Sequence, residues 1–439
     1  MTAESDNVIH IDVKEISRVE GHGNLSVRLD DGEITRLELQ ITESPRFFES
    51  FLRGRRWHEA PHICGRICGI CSITHTTAAA KAIEAACGIT ITEQTRRLRE
   101  LLLMGEIIQS HVLHLCFLAI PDYFGVDSII PLASSHPEVV KRALRLKKLA
   151  NEVGRVVAGR HIHPPGFQVG GFSRVPTEGE LRSLLSQLCA ARSDVSKLVE
   201  LISRLTRVAF DRETEYVALK AGGGYALYEG ELLSSLRGAA LPVAHYREQV
   251  CERVVEHSAA KHASSPNSPS YFVGALARFN LSHTQLHKQA IDAARLLHLS
   301  APAHSPFANN LAQCVEIVHC LETAIEISEL LLADGLRCES PVKPARFGRG
   351  VGAIEAPRGV LFHEFELDDD GLIRDTNLVI PTGQNLANIE NDLREYVRQL
   401  LAARMERADI TRRLEMLIRA YDPCISCATH FLDIDWVTQ

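Results

Sequence analysis

Hydrophobic and polar positions follow two different periods along this chain. Between residues 8 and 42 the apolar residues come in short alternating runs: Val8-Ile9-His10-Ile11, Leu25-Ser26-Val27-Arg28-Leu29, and Ile34 to Ile41. Asp30-Asp31-Gly32 is a turn signal between the last two. Successive strand side chains face opposite sides, so this pattern predicts a small antiparallel sheet. Residues 44–58 carry a helical pattern that leads into a Cys-rich loop. From Thr92 the period lengthens, and Leu98, Leu101, Leu102, Ile107, Val112 and Leu115 fall on one broad face of a helix ending near Ala119. Further helical patterns cover 136–158, 177–219, 231–238, 283–297, 308–335 and 386–419. His161-Ile162-His163-Pro164-Pro165-Gly166 and Gly170-Gly171 cannot continue a helix. A second β-like patch spans 351–382, with Gly359-Val360-Leu361-Phe362-His363 and Leu378-Val379-Ile380 on either side of Asp368-Asp369-Asp370-Gly371.

The expected fold is mainly α with small β elements: a large helical bundle core plus an N-terminal antiparallel β region. The expected organisation is an N-terminal β/α region over 1–60, a helical bundle over 61–345, a small β region over 346–385, and a C-terminal helix with a short tail over 386–439. No internal repeat is visible.

Composition narrows the function. The chain has 439 residues and a net charge of -7, with Lys and Arg scattered, so it carries no electrostatic footprint for nucleic acid. The acidic start Met1-Thr2-Ala3-Glu4-Ser5-Asp6 does not have the form of a signal peptide. No apolar run approaches the ~20 residues of a membrane span. The expected location is the cytoplasm, where 12 cysteines do not imply a disulfide framework. Cys64, Cys87, Cys116, Cys189, Cys251, Cys314, Cys320 and Cys338 sit mostly in apolar or helical contexts, as buried free cysteines do.

The other four form two Cys-x-x-Cys pairs, Cys68-Gly69-Ile70-Cys71 and Cys424-Ile425-Ser426-Cys427. Two pairs supply four thiolates, the usual content of a zinc or iron–sulfur site. Structural zinc pairs are local in sequence, whereas Cys68 and Cys424 lie 356 residues apart. Spacing and composition stop at a tetrathiolate metal centre that joins both ends of the chain, for which soft or borderline metals are suited.

The flanking residues resemble a known family. Arg66-x-Cys68-Gly69-x-Cys71-x-x-x-His75 and Asp422-Pro423-Cys424-x-x-Cys427-x-x-His430 resemble the two signature motifs of the nickel–iron hydrogenase large subunit. Arg18-Val19-Glu20-Gly21-His22, Glu355-Ala356-Pro357-Arg358-Gly359 and Ile380-Pro381-Thr382 extend the resemblance over nearly the whole chain, in order. It implies that family's large-subunit fold and reversible heterolytic cleavage of H2.

It also implies roles. Cys68 and Cys424 would be terminal nickel ligands, and Cys71 and Cys427 would bridge to an iron bearing one CO and two cyanides, Fe(CN)2(CO). Pro357, Arg358 and Thr382 would line the iron side, with Arg358 and Thr382 donating to cyanide. Asp122 would pair with the arginine layer, or simply end a helix. His75 would bond a bridging sulfur, or be a satisfied core histidine. Glu20 would relay protons. Glu49, His430 and the carbonyl of Leu393 would hold a separate Mg2+ or Fe2+.

His161 to Gly166, the Cys-Ile-Ser-Cys pair and Thr382-Gly383-Gln384-Asn385 resemble the cytoplasmic branch linked to NAD(P) or a deazaflavin. No Gly-x-Gly-x-x-Gly follows a strand, and Gly222-Gly223-Gly224 is a poor substitute. No spare Cys cluster remains, so neither nucleotide nor iron–sulfur cluster is expected in this chain. The implied partners are an iron–sulfur small subunit, diaphorase/flavin and further iron–sulfur subunits, a maturation protease and nickel chaperones. Family members are cut after the final histidine. Here Phe431 to Gln439 follow His430, either as a precursor segment or as a retained tail. The rival readings are an H2 sensor with low turnover and a cofactor-free homologue resembling the quinone-site subunit of respiratory complex I, which lacks the cysteine pairs.

Overall fold

The computed structural model describes residues 8–430. The tail after His430 and the segment before Val8 lie outside the described residues.

The chain begins with a meander of β1 (Val8–Val13), β2 (Gly23–Asp30) and β3 (Glu33–Ile41), antiparallel in the order β1-β2-β3. Leu25, Val27 and Leu29 turn inward along β2, as the alternation predicts. The 44–58 stretch forms only the short helix α1 (Phe48–Leu52) and a 3-10 turn at Trp57–Glu59, followed by α2 (Ala60–Cys64). After the first Cys loop come α3 (Ser72–Cys87) and α4 (Glu93–Leu113). A π-helical segment, His114–Ala119, and α5 (Ile120–Tyr123) continue α4 into one 31-residue helix. By length and composition this helix is apolar enough to cross a membrane, contrary to the expectation from the sequence; 78% of its apolar stretch is buried inside the protein.

The short α6 (Leu132–Ser135) precedes α7 (Pro137–Ala158); the two-residue strands β4 (Phe167–Gln168) and β5 (Gly171–Phe172) lead into α8 (Glu178–Ser203). The sequence pattern carries a helix to 219, but the chain leaves α8 and forms β6 (Glu215–Lys220). The stretch expected as a helix over 231–238 is instead β7 (Glu231–Ser234). Both are short apolar runs whose state is decided by pairing: β6 lies between β7 and β10 (Tyr271–Phe272) in a sheet of order β10-β6-β7. A hairpin of β8 (Cys251–Val255) and β9 (Ser258–Ser264) precedes β10. Then follow α9 (Ala275–Ser282), α10 (Lys288–Leu296) and the largely buried α11 (Ala308–Asp334), which packs against α4, α8, α9 and α10.

The second β patch is a meander of β11 (Arg349–Ala356), β12 (Gly359–Leu367) and β13 (Ile373–Val379). The expected C-terminal helix starts earlier, with Pro381 at its first position, and divides into α12 (Pro381–Ala402) and α13 (Arg407–Ala420); α14 (Ile425–Ala428) carries the last cysteine.

One packing contact sets the position of the first Cys pair. α3 presents Ala78, Ala82 and Ala86, four residues apart, to β11. β11 answers with Gly350 and Gly352. A Cβ on Gly352 would meet Ala78 O and stand 2.5 Å from Ala82 N; one on Gly350 would meet Ala82 O and Ala86 N. Only glycine lets helix backbone and strand backbone approach this closely. Gly352→Ala is expected to destabilise the purified protein by more than ~2 kcal/mol through overpacking. A thermal melt checks this, with a fall in Tm of at least about 2 °C; an unchanged Tm would contradict the close approach.

Candidate metal centre

Both Cys pairs reach the centre through short, non-repetitive loops. Gly65–Ile67 is a 3-10 turn that ends at Cys68, and α3 begins one residue after Cys71. The Ile70 and Cys71 amides donate to Cys68 Sγ at 3.2 and 3.1 Å, so the loop wraps its own sulfur. Cys424 caps the four-residue α14 and Cys427 lies within it. The four sulfurs are buried and lie within 4.8 Å of one another. Cys68 Sγ stands 3.7 Å from Cys424 Sγ, and Cys71 Sγ 3.6 Å from Cys427 Sγ. The structure thus brings together the two ends that the sequence pairs.

Side chains from elsewhere bolt these loops to each other. Arg46 donates to Ile67 O at 2.7 Å and also to Ser426 O, spanning both Cys loops, while its amide donates to Thr429 O at 2.8 Å. Glu20 pairs as a bridge with Cys424: its carbonyl accepts from Ile425 N at 2.9 Å. Its carboxylate accepts from Ser426 N at 3.1 Å and from the Ser426 hydroxyl. Gly21, at φ +85, makes this possible, because a Cβ there would sit 2.8 Å from Ile425 Cβ and Ser426 N. Behind Cys71, the Glu106 carboxyl accepts from Ile73 N and Thr74 N at 2.6 and 2.9 Å and ties the start of α3 to α4. Burial pushes Glu106 up to about 8 despite those bonds.

Charge argues for a metal. Burial alone would raise Cys68, but contacts from the other three thiols and the Arg358 guanidinium hold it well below the ordinary thiol range. Burial and its contacts with Cys427, Cys68 and Cys71 push Cys424 well above it. As four thiolates the sulfurs could share so small a buried volume only around cations, which divalent metals supply as they displace the protons. The donor set fits soft or borderline ions.

Beside the sulfurs is a small cavity lined by Cys71, His75, Pro357, Arg358, Thr382 and Cys427 among others. Arg358 sits at the tip of the β11–β12 hairpin, whose two-residue turn is Pro357-Arg358. Its Nε donates to Asp422 O at 2.7 Å, Nη2 to Asp422 Oδ1 at 2.9 Å and Nη1 to Ser110 Oγ at 3.3 Å. A guanidinium has five N–H donors, so two remain for the cavity. Thr382 Oγ1 accepts from Cys424 N at 2.9 Å, which leaves its proton to donate. An apolar hollow with a cation and a hydroxyl suits a group with anionic, hydrogen-bond-accepting ends.

The remaining expected residues fall as follows. His75 lines the cavity, but its Nδ1 faces His363 Nε2 at 3.3 Å; among the described residues it has no bond to a sulfur. Burial lowers His75 to about 4, so the ring is neutral. Asp122 does bind arginines, Arg18 at 2.5 Å and Arg419 at 2.8 Å, but not Arg358, whose carboxylate is Asp422. Glu49 and His430 face each other at 3.6 Å. Burial raises Glu49, but His430, Lys261 and the Leu378 amide together bring it below the usual carboxylate range. Leu393, expected beside them, lies inside α12, where its carbonyl belongs to the helix ladder. The main-chain group at Glu49 is that of Leu378, whose N–H donates at 2.9 Å.

Sequence reasoning missed a buried ion network under the hairpin tip. Arg278 binds Glu316 at 2.6 Å and Glu355 at 2.8 Å, and donates to Ala356 O and Pro357 O. His111 and Tyr225 complete it through Glu316. Buried charges must be paired, but nothing in a helical pattern says which partners meet. Of the eight other cysteines, Cys251 and Cys338 are exposed, Cys189 is half-buried and the rest are buried.

The nickel-dependent hydrogenase profile matches residues 46–139 and 267–430, and a HoxL-like profile matches 10–44. The alpha chain of sulfhydrogenase 2 from Pyrococcus furiosus is 35% identical over 431 residues, covering 97% of this chain and 100% of that protein. A chain of the F420-non-reducing hydrogenase from Methanothermobacter marburgensis is 31% identical, over 97% of this chain and 96% of that one. A solved NAD+-reducing NiFe hydrogenase in the H2-reduced state superposes with a TM-score of 0.88 at 29% identity, over 97% and 100% of the two chains. The Ni-Fe-Se hydrogenase from D. vulgaris Hildenborough shares the fold, with a TM-score of 0.74 at 21% identity over 96% and 100%.

Replacing any one of Cys68, Cys71, Cys424 or Cys427 by Ser is expected to lower bound nickel at least about tenfold, by loss of a thiolate ligand. Cys64→Ser, equally buried but outside the group, should leave it unchanged. Elemental analysis of the purified variants checks both, and equal nickel in all of them would rule out the four-sulfur site.

Proposed function

The chain belongs to the nickel-dependent hydrogenase family, as a catalytic large subunit, and from that premise we propose how its own residues divide the work. The carrying observation is the convergence of four thiols beside a cavity that Arg358 and Thr382 overlook. Cys68, Cys71, Cys424 and Cys427 would hold the nickel–iron pair, Cys68 and Cys424 on the nickel alone and Cys71 and Cys427 on both metals, with CO and cyanides on the iron. When bound, this pair supplies the site of heterolytic H2 cleavage and takes up the electrons.

Arg358, fixed by two bonds to Asp422, stays a cation and offers its free N–H groups to the cavity. Thr382 adds a hydroxyl donor from the first turn of α12. The sulfur of Cys424 receives the proton. Glu20 then carries it outward: its carboxylate is held against Ser426, between the two cysteines of the second pair. Apolar Ala356, Pro357, Leu361 and Ile380 keep water from the cavity. Glu49 and His430 would hold a Mg2+ or Fe2+ that would fasten the segment between Cys427 and His430 beneath the centre, with Leu378 as the neighbouring main chain.

Electrons pass to an iron–sulfur small subunit, and through further subunits to NAD(P) or a related carrier. The likeness to an NAD+-reducing enzyme supports this acceptor. The relatives named F420-non-reducing weigh against a deazaflavin.

Infrared spectra of the purified complex should show CO and cyanide stretches, together with H2-dependent dye reduction and H2-dependent reduction of NAD+ or NADP+. Zinc in place of nickel, with no such bands, would sink the reading; bands without steady turnover would mark an H2 sensor. Glu20→Gln should keep the bands and lose roughly 100-fold or more in dye reduction, the scale of a lost proton-transfer group. Full activity in that variant would remove Glu20 from the proton path.

A further inference from the structure

Away from the thiol centre, three further side chains converge from separate parts of the fold. His257 occupies the turn between β8 and β9, His262 lies on β9, and Glu390 projects from α12. One ring nitrogen of each histidine and one carboxylate oxygen lie within 4.8 Å of one another. His257 Nε2 is 2.8 Å from Glu390 Oε1, and His262 Nδ1 is 3.9 Å from Glu390 Oε2. The Leu39 amide of β3 donates to Glu390 Oε1 at 2.9 Å and fixes the carboxylate.

Hydrogen bonding explains His257 and one oxygen of Glu390. It does not explain His262. That ring is 1% exposed, its Nε2 has no hydrogen-bond partner among the described residues, and 3.9 Å from Nδ1 to Glu390 is too long for a hydrogen bond. Buried polar atoms are ordinarily satisfied, so an imidazole held this way asks for a ligand. Two donors on one ion, each about 2.0–2.1 Å from it, stand roughly 3–4 Å apart; His262 Nδ1 and Glu390 Oε2 at 3.9 Å already have that spacing, and His257 and Glu390 at 2.8 Å would part slightly as the ion replaces their shared proton.

We propose that His257, His262 and Glu390 form a separate metal site that binds a divalent transition ion of the zinc class. Two imidazoles and a carboxylate are a three-ligand zinc donor set, with water in the fourth position. The His257 and Glu390 side chains are 21% and 17% exposed, which gives the ion a way in and water its place. Mg2+ and Ca2+ are disfavoured because they take oxygen ligands and this site offers one carboxylate. The bound ion ties the β8–β9 hairpin and β3 to α12, the helix whose first turn carries Thr382.

Zinc binding to the untagged, metal-loaded complex at buffered free Zn2+ tests this, measured by equilibrium dialysis and elemental analysis. One zinc per chain is expected, with X-ray absorption showing nitrogen and oxygen neighbours only. His257→Ala, a half-buried turn residue, should weaken binding at least about tenfold. Glu390→Gln should do the same, and thermal melts confirm that each variant is folded. Sulfur scattering near 2.3 Å would place the zinc at the cysteines instead. That result, binding unchanged in both folded variants, or no zinc in the wild type, overturns the proposal.

Discussion

Four sulfurs from opposite ends of the chain must be held within a few ångströms of one another in a dry interior. Most of the structure around them serves that constraint. Thiolates repel each other and lose hydration on burial, so the loops that carry them cannot be left to fluctuate. Arg46 meets the requirement most directly, since one guanidinium bridges Ile67 O and Ser426 O, each next to a ligand cysteine. Glu20 adds a main-chain and a side-chain grip on the second loop, and Glu106 grips the helix behind the first. The glycine–alanine contact between β11 and α3 transmits this rigidity to the rest of the core.

The second requirement is a fixed positive charge on the open side of the sulfurs. Arg358 is placed by a tight hairpin, aimed by Asp422, and supported from below by Arg278 with Glu316 and Glu355. Such a network is expensive unless complete, because an unpaired charge in the interior costs several kcal/mol. Burial still pushes Glu355 up to about 7, so within this cluster it is the carboxyl that gains a proton most readily. The two carboxylates and the guanidinium therefore act as one unit that positions the hairpin tip.

The periodic elements were legible in advance wherever one face is apolar and the run is long. The N-terminal meander, α4, α7, α11 and the β11–β13 patch all follow the pattern. The failures were short runs. β6 reads as a continuation of α8 because its apolar run, Tyr216 to Leu219, is too short to tell strand from helix, and β7 resembles one helical turn; pairing with partner strands decides both. At the site, the four cysteines, Glu20, Arg358, Thr382 and the Glu49–His430 pair stood out through motif context. Asp422 was visible as a letter in a motif, yet its partnership with Arg358 was not. The Leu378 amide that donates to Glu49 was not visible either, because a main-chain contact leaves no trace in residue type.

What the sequence determined by itself is the chemistry: residue types at fixed short spacings commit two Cys-x-x-Cys turns to thiolate donation whatever the fold around them. The tertiary structure decided who stands beside whom. Residues such as Arg46, Asp422, His363 and Arg278 act across separations that no local period encodes, and their contacts exist only after β11 has packed on α3 and both ends of the chain have met. The histidines and Glu390 beside β3 belong to the same class. Spacing along a chain fixes local geometry, but the pairing of buried charges and donors is settled by packing, since only packing removes the water that would otherwise satisfy them.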